Sequence, residues 1–379
     1  MIEWTADQED LRAGIARWCE AFSADHVERD EEGTFSWEKW KLVRRAGLLA
    51  LPFDERWGGD GLDLVTVMGV LEALGEGNRD AGLTFSVTTS MCSTGIPLEA
   101  FGSEALKDRY LPLITSGEAI GAHAITEPSG GSDALDMRTT ARRDGDEFVL
   151  NGSKTFISNG PVADLFVVYA LTRPGAGALG TTAFLLRRDT PGLVVGKPMK
   201  KMGLRTSPLS ELFFDDCRVP ADHVIGRVGA GFMVLDHVMK REILFSFITN
   251  VGEMAHRLDR CVAYAKERTA FGQPIGSYQA IQHKLVDMKI KLDTARKWLY
   301  DVAEMLVAGK SVTTEMAIAK LLTSEANLAS SLAAVQVFGG HGYMAETGLE
   351  KDVRNAVAGT IYSGSTETQY NRIASMMGL

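Results

Sequence analysis

Residues 124–133 read A-I-T-E-P-S-G-G-S-D, and this stretch decides how the chain around it folds. It combines an apolar lead-in, a proline, two adjacent glycines and three hydroxyl side chains. Pro128 disfavours a helical Glu127, while Gly130 and Gly131 can take positive φ at little steric cost. We therefore expect a sharp turn that presents hydroxyls and backbone N–H groups to a ligand rich in carbonyl, ring-nitrogen and phosphate acceptors. Taken alone, the stretch also fits an ordinary surface turn.

The composition is that of a globular protein. The chain has 379 residues, of which 45% are hydrophobic and 23% charged, and it carries a net charge of -9. One domain per roughly 150 residues predicts two or three packed units. The acidic surplus argues against nucleic-acid binding. The sequence has no apolar run long enough for a membrane span, and its acidic N-terminus lacks a signal-peptide pattern, so we expect a cytoplasmic protein.

Cysteine and histidine patterns give no indication of a metal site or a disulfide framework. Four cysteines are scattered without C-x-x-C spacing, and the seven histidines show no H-E-x-x-H or other ligand spacing. We therefore expect reduced structural thiols and no bound metal.

Residues 1–119 have the pattern of an α-helical domain. Leu11, Ile15 and Cys19 recur at four-residue steps, which places apolar side chains on one helix face. The glycines of residues 58–61 are expected to break the chain. Further helices are then predicted at 64–74, 84–101 and 105–114.

Between residues 120 and 228 the pattern changes to that of a compact β domain. Short runs rich in β-branched and aromatic residues are separated by turn pairs such as Asp144-Gly145 and Asn151-Gly152. The predicted strands are 147–150, 165–170, 182–186, 193–195 and 211–214.

Residues 229–379 are predicted to be helical again. Strong helical periodicity covers 232–269, 278–308, 312–338 and 351–361, and long helices with short connections suit an antiparallel bundle. The chain as a whole is therefore predicted to be an α+β protein of three domains, with helices, then strands, then helices.

Several motifs resemble those of the acyl-CoA dehydrogenase family. T-E-P-S-G-G-S-D at 126–133 is similar to the family's flavin-binding signature, and K-T-F-I-S-N-G at 154–160 to its second flavin segment. The resemblance implies an N-terminal α-helical domain, a middle β-barrel domain, a C-terminal four-helix bundle and FAD as cofactor. It covers nearly the whole chain, because further matches follow in the family's order: M-G-L-R-T-S-P at 202–208, D-D-C-R-V-P at 215–220, E-R-x-x-F-G at 267–272 with Q-A-I at 279–281, Q-V-F-G-G-H-G-Y at 336–343 and I-Y-S-G-S-T at 361–366.

The resemblance also implies which residues bind FAD. Ile125, Thr126 and Ser132 would line one side of the flavin, while Phe156 and Ser158 would cover and hydrogen-bond its ring.

A second group of residues would contact the adenosine diphosphate half of a neighbouring subunit's FAD. At Arg268 a guanidinium offers bidentate donors to a pyrophosphate. Arg268 could instead be a solvated charge at a helix end, Phe271 plain core and Gly340 a helix stop. Because these contacts cross to another subunit, the resemblance implies at least a dimer, and the family is usually homotetrameric. The group comprises Arg268, Phe271, Gln279, Gln336 and Gly340, and Ser365 and Glu367 stand where the family also touches the cofactor.

The reaction implied by the resemblance is α,β-dehydrogenation of an acyl thioester. A carboxylate removes the α-proton while hydride leaves the β-carbon for the flavin. In many members the base precedes the glycine of Y-E-G-T, where this chain has Ser363, and serine cannot abstract that proton unaided. In the isovaleryl- and long-chain-like branches the base is a glutamate on the first helix of the bundle, ten residues after the residue that follows the glycine. Counting from Gly231, that position is Glu242.

Helical phase supports Glu242 as the base. Leu235, Val238 and Met239 share its helix face, so the carboxylate lies on an apolar stripe, where burial is costly without a purpose. The alternative is a surface acid paired with Lys or Arg, although Arg241 projects about 100° away around the helix. We therefore predict catalysis by Glu242. Ser363 would contribute its backbone N–H to the thioester carbonyl.

Substrate carrier and electron acceptor are left open by the sequence. The base position also resembles that of dehydrogenases acting on carrier-bound prolyl groups, so acyl-CoA and acyl carrier protein are both candidate substrates. The family passes electrons to electron-transferring flavoprotein or, in some members, to oxygen. A flavin-dependent monooxygenase on the same fold is the alternative function, since Glu is missing at 363 and Phe156 replaces the family's usual Trp. A third candidate function is that of a flavin-loaded interaction protein without turnover.

Overall fold

The computed structural model describes residues 3–133 and 136–379. Its N-terminal part is helical. Several of its helices begin at a Ser, Thr or Asp whose side chain accepts a hydrogen bond from a backbone N–H of the first turn, as Asp63 does from Val65 and Thr66. A π-helical turn, Met91–Gly95, joins the fifth and sixth helices. The helices are α1 (Ala6–Ser23), α2 (His26–Glu32), α3 (Trp37–Arg45), α4 (Leu64–Gly77), α5 (Ala81–Ser90), α6 (Ile96–Phe101) and α7 (Glu104–Thr115).

The middle part of the chain forms one sheet of eight strands. Its path is β6-β7-β3-β2-β4-β5-β8, and β1 pairs in parallel with β4. That pairing sets His123 opposite Val167. The strands are β1 (Gly121–Ala124), β2 (Thr140–Asp144), β3 (Glu147–Ser158), β4 (Leu165–Leu171), β5 (Thr181–Arg187), β6 (Leu193–Val195), β7 (Leu209–Pro220) and β8 (Val224–Ile225).

The turn predicted at Asn151-Gly152 is wrong. Strand β3 continues through this pair, and its register against β7 shifts between Leu150 and Gly152. Gly152 has φ +144°, and a Cβ there would lie 2.8 Å from the Thr139 Cα. A glycine in a strand commonly marks such a bulge and close backbone approach, whereas the sequence pattern alone favoured a turn.

The C-terminal part is a helical bundle. Helices α8, α9 and α10 pack against one another, and α11 packs on α10. The predicted segments 232–269, 278–308 and 312–338 match the first three to within two residues, but α12 was not predicted. No described helix combines the length and apolarity needed to cross a bilayer. The helices are α8 (Gly231–Glu267), α9 (Gln279–Val307), α10 (Thr313–Phe338), α11 (Leu349–Gly359) and α12 (Thr366–Met376), and a small hairpin, β9 (Thr269–Ala270) and β10 (Gln273–Pro274), lies between α8 and α9.

Two glycines allow α8 to pack closely on α4. A Cβ at Gly252 would lie 2.1 Å from the Glu72 backbone oxygen, and one at Gly75 would lie 2.1 Å from the Thr249 backbone oxygen. Both obstacles are backbone atoms, so relief requires the two helices to separate. This contact connects the N-terminal helices to the helix that carries Glu242.

We expect Gly252→Ala to lower the free energy of unfolding by about 1–3 kcal/mol, because overpacking forces the backbone to shift. Thermal unfolding followed by circular dichroism measures the loss. Gly14→Ala in α1 is the matched control, since a Cβ there meets no atom within 4 Å and alanine has the higher helix propensity. Equal unfolding temperatures for Gly252→Ala and the parent protein would contradict the close packing.

Candidate active site

A buried ion pair holds the turn of residues 124–133 from inside. The Glu127 carboxylate accepts hydrogen bonds from Arg138 N (2.6 Å), Thr139 N (2.9 Å) and Lys154 Nζ (2.8 Å). Lys154 is fully buried and also donates to the Ile125 carbonyl. Burial by itself would raise the pKa of the Glu127 carboxyl, but Lys154 and the backbone N–H donors outweigh burial and hold the pKa below its ordinary value.

Next to this turn, a bulge in β3 presents an aromatic ring to the surface. The Thr155 backbone N–H donates to the Thr126 carbonyl at 2.9 Å. The following residue, Phe156, has φ +57°, lies within a register shift between Lys154 and Ile157, and is 59% exposed. Positive φ is costly for a bulky residue, so this conformation indicates a functional constraint.

The residues predicted to bind the flavin ring thus lie in the segment that follows β1 and in the last residues of β3, which together form the flavin edge. Ile125 and Thr126 are half-buried at the end of β1, Ser158 is half-buried at the end of β3, and Ser132 is exposed in the turn. An exposed aromatic ring beside hydroxyls and free backbone edges fits an isoalloxazine, which is planar and carries carbonyl and ring-nitrogen acceptors. The described residues therefore fit FAD.

The residues predicted to contact the adenosine diphosphate half are only partly brought together. Arg268 and Gly340 line one groove of about 550 Å³, in which the rings of Tyr264 and Phe338 stack with centroids 4.0 Å apart. Phe271, at the tip of the hairpin β9–β10, is 97% exposed with φ +52°. Exposure of such a ring argues against the plain-core alternative within one chain.

The remaining predicted contacts lie outside the lining of that groove. Gln279 and Gln336 are exposed on α9 and α10. Ser365 caps α12 by accepting a hydrogen bond from Thr368 N at 3.3 Å, and Glu367 is exposed in the first turn of that helix. An exposed helix N-terminus of this kind favours an anionic group.

Glu242 points into the protein rather than into water. Leu235 and Val238 on the same helix face are buried, and the Glu242 side chain is 14% exposed. One carboxylate oxygen, Oε2, lies 3.3 Å from His123 Nε2, and the other, Oε1, accepts a hydrogen bond from Ser363 Oγ at 2.5 Å. The Glu242 carboxylate therefore contacts strand β1 on one side and the loop before α12 on the other.

Among the described residues, no Lys or Arg side chain forms an ion pair with this carboxylate. Within residues 3–133 and 136–379, His123 is the one side chain that ion-pairs with Glu242. Arg241 turns elsewhere, with Nη1 3.4 Å from His237 Nδ1. The alternative of a surface acid paired with Lys or Arg does not describe Glu242.

Two polar side-chain atoms near Glu242 lack hydrogen-bond partners within the described residues. Burial, reinforced by the charge of Glu242, raises the pKa of Tyr169 and of Cys92. In the described part of the chain, Tyr169 Oη and His123 Nδ1 are buried without a hydrogen-bond partner.

Strand β1 connects the acid to the flavin edge. His123 contacts Glu242, and Ile125 and Thr126 follow along the extended chain, where each residue adds about 3.3 Å. The carboxylate therefore contacts the strand that leads directly into the proposed flavin-binding residues, as a base acting on a substrate beside the ring requires.

Ser363 is held in an unusual conformation. Its φ is +54°, and Gln369 Nε2 donates to its carbonyl at 3.0 Å. The sequence predicted a role for its backbone N–H, whereas the structure adds a hydrogen bond from its hydroxyl to Glu242. His123 and Lys154 received no role from the sequence. The signal available for His123 was its position two residues before Ile125.

Comparisons with known proteins agree with this geometry. Sequence models of the acyl-CoA dehydrogenase N-terminal, middle and C-terminal domains match residues 5–118, 122–217 and 229–378. An L-prolyl-[peptidyl-carrier protein] dehydrogenase of Serratia sp. is 37% identical over 98% of this chain and 97% of its own length. A short-chain-specific acyl-CoA dehydrogenase of Megasphaera elsdenii is 36% identical over 90% of both chains.

The solved FAD complex of PigA has 36% identity and a TM-score of 0.97, and covers 100% of this chain and 99% of its own. These matches agree with the fold, with the flavin edge and with the inward-pointing side chain of Glu242. The chain belongs to the acyl-CoA dehydrogenase family, whose FAD-dependent enzymes oxidise the α,β carbon–carbon bond of acyl thioesters.

Proposed function

We propose that Glu242 is the base that removes the α-proton of the acyl thioester. The observation that carries this proposal is the inward carboxylate, held by His123 and Ser363 and joined to the flavin edge by β1. Each oxygen of the carboxylate uses one lone pair for these bonds and keeps another for the proton. When bound, FAD accepts the hydride from the β-carbon.

Around this base, the other predicted residues have binding roles. Ser363 would also direct its backbone N–H at the thioester carbonyl, where negative charge develops. Ile125, Thr126, Ser132, Phe156 and Ser158 would hold the flavin ring. The adenosine diphosphate half would be bound by Arg268, Phe271, Gln279, Gln336 and Gly340, with Ser365 and Glu367.

The monooxygenase alternative is not favoured. A monooxygenase needs no α-proton base, and Glu242 would then be a buried acid without a purpose, at considerable cost. The curated relatives reported above are both dehydrogenases.

The acyl group is proposed to be small. Tyr362, which precedes Ser363, packs between the rings of Phe85 and Phe247 with centroid distances of 4.9 and 5.2 Å. These rings would close the acyl pocket just beyond the base. A prolyl-sized or butyryl-sized group is therefore favoured over a long chain.

We expect Phe85→Ala to shift the preference towards longer acyl groups. Removing the ring opens the closed end of the pocket, and each additional buried methylene contributes about 0.8 kcal/mol, or roughly fourfold in kcat/KM. The ratio of kcat/KM for a six-carbon thioester to that for a four-carbon thioester, both on the same carrier, checks this. If the ratio does not change, the acyl pocket ends elsewhere.

Carriage by a peptidyl or acyl carrier protein is proposed in preference to CoA, because the Serratia relative acts on a carrier-bound prolyl group. Anaerobic titration of the FAD-loaded enzyme with a panel of thioesters tests this. We expect flavin bleaching with prolyl or short acyl groups on a carrier protein, and weaker bleaching with the same groups on CoA. An enzyme bleached by none of these thioesters would contradict the proposed function.

Assembly and location are further parts of the proposal. The exposed Phe271 supports a hairpin that reaches a second subunit, in a homotetramer that passes its electrons to electron-transferring flavoprotein or to oxygen. Four buried, unpaired cysteines support a reducing compartment such as the cytoplasm. We propose domains at 1–119, 120–228 and 229–379.

A further inference from the structure

The two groups that hold the Glu242 carboxylate come from different parts of the fold. His123 projects from strand β1, and Ser363 from the loop between α11 and α12. Each occupies a different carboxylate oxygen. The ring of His123 is only 16% exposed, so its position is set by packing as well as by the contact with Glu242.

We infer that His123 is a positioning residue for the reaction: its Nε2–H fixes the carboxylate of Glu242 in the orientation that receives the α-proton. This inference rests on the proposed function, in which Glu242 is the base. His123 itself touches neither substrate nor cofactor in this role.

His123 Nε2 and Glu242 Oε2 lie within ion-pair distance, and the acceptor determines which of the two carries the hydrogen. An ionised carboxylate has only lone pairs to offer, so the imidazole nitrogen facing it must carry the hydrogen. That nitrogen is Nε2, at 3.3 Å from Oε2. Two partners on different oxygens fix the plane of the carboxylate.

The Nε2–H of His123 can restrain the orientation of the Glu242 carboxylate, a role that packing alone does not explain. Glu242 shares a helix face with the buried Leu235 and Val238, and in the described chain no Lys or Arg side chain ion-pairs with it. Without His123 the carboxylate would keep one fixed donor, Ser363, and could rotate about its last torsion angle. Because a misplaced base loses rate steeply, restraint by a second donor bears directly on the chemical step.

Three substitutions separate the donor from the shape of the side chain. His123→Gln keeps an N–H donor at about the reach of Nε2, whereas His123→Asn places its donor at about the reach of Nδ1, and His123→Phe keeps a ring without any donor. All three are made in the full-length, FAD-loaded enzyme. FAD content and thermal unfolding are recorded for each variant, so that loss of structure is recognised.

We expect His123→Phe and His123→Asn to slow anaerobic flavin reduction by about 10- to 100-fold, the range expected on losing a hydrogen bond to a charged group. The substrate dissociation constant should stay within about threefold, and the isotope effect with α-deuterated thioester should increase, because α-proton removal becomes more limiting. His123→Gln should restore the rate to within about threefold of the parent.

Two results would overturn the inference. One is a His123→Gln variant as slow as His123→Phe, which would show that ring shape matters and the donor does not. The other is a His123→Phe variant that reduces its flavin at the parental rate. The proposed function fails separately, if Glu242→Gln itself retains the parental rate. If Glu242→Gln is inactive while His123→Phe is unaffected, only the role of His123 is rejected.

Discussion

Replacing Glu242 by glutamine is expected to slow reduction of the bound flavin by about 10²- to 10⁴-fold, the usual contribution of a general base. The amide has nearly the same shape as the carboxylate and still offers an oxygen to Ser363 or to His123. It cannot take up the α-proton. Substrate binding and FAD content should therefore survive, and the loss should appear in the rate of bleaching measured by anaerobic stopped flow.

A matched control lies on the same helix. Asp259 is an exposed acid further along α8, and Asp259→Asn makes the same chemical change at a distance from the site. It should bleach at the parental rate. Glu242→Gln bleaching as fast as Asp259→Asn would show that another group removes the proton, since the two variants differ only in which acid is neutralised.

Much of the site near Glu242 could be predicted because it depends on local spacing. The position of Glu242 on an apolar helix face follows from the 3.6-residue period, and the structure places Leu235 and Val238 of that face in the core. Tertiary contacts are different. His123 and Glu242 are far apart in the sequence, and a lone histidine in a short strand gives no sign of which helix will pack over it.

The same division applies to the fold. Long helices such as α8 and α10 were predicted to within two residues, since their periodicity is sustained. Strands β1 and β2 were not predicted, because four or five residues are too few to show alternation. In β3, the pair Asn151-Gly152 has turn composition, and only the neighbouring strands make it part of a continuous ladder. Pairing overrides local preference in sheets.

The burial of Lys154 depends on tertiary contacts and could not be predicted from the sequence. Its replacement is expected to have the largest effect on stability. It is the first residue of the motif K-T-F-I-S-N-G, yet nothing in that motif shows that its side chain is fully buried against Glu127. We expect Lys154→Met to lower stability by about 3–5 kcal/mol, because it leaves a buried carboxylate without its cation. The turn that carries Thr126 should loosen, so FAD should be released at a lower temperature, as measured by flavin fluorescence during heating.

Two comparisons isolate the buried charge as the cause. Lys41→Met removes the lysine of an exposed ion pair with Glu38 and should change stability by less than about 1 kcal/mol. The double variant Glu127→Gln with Lys154→Met should lose less than the sum of the single changes, since neither charge is then left alone. Equal losses for Lys41→Met and Lys154→Met would refute the argument.

The loss in Lys154→Met should also depend on pH in a definite direction. In the parent protein the pKa of Glu127 is held below its ordinary value, so its stabilising contribution is present at neutral pH and is lost as the pH falls through that lowered pKa. In the variant, Lys154 no longer opposes the effect of burial, so the pKa of Glu127 rises. Protonation then removes the uncompensated charge. The difference in stability between parent and variant should therefore be largest near pH 7 and shrink towards pH 5. A difference that grows on acidification would show that the lost stability does not come from the unpaired Glu127 carboxylate.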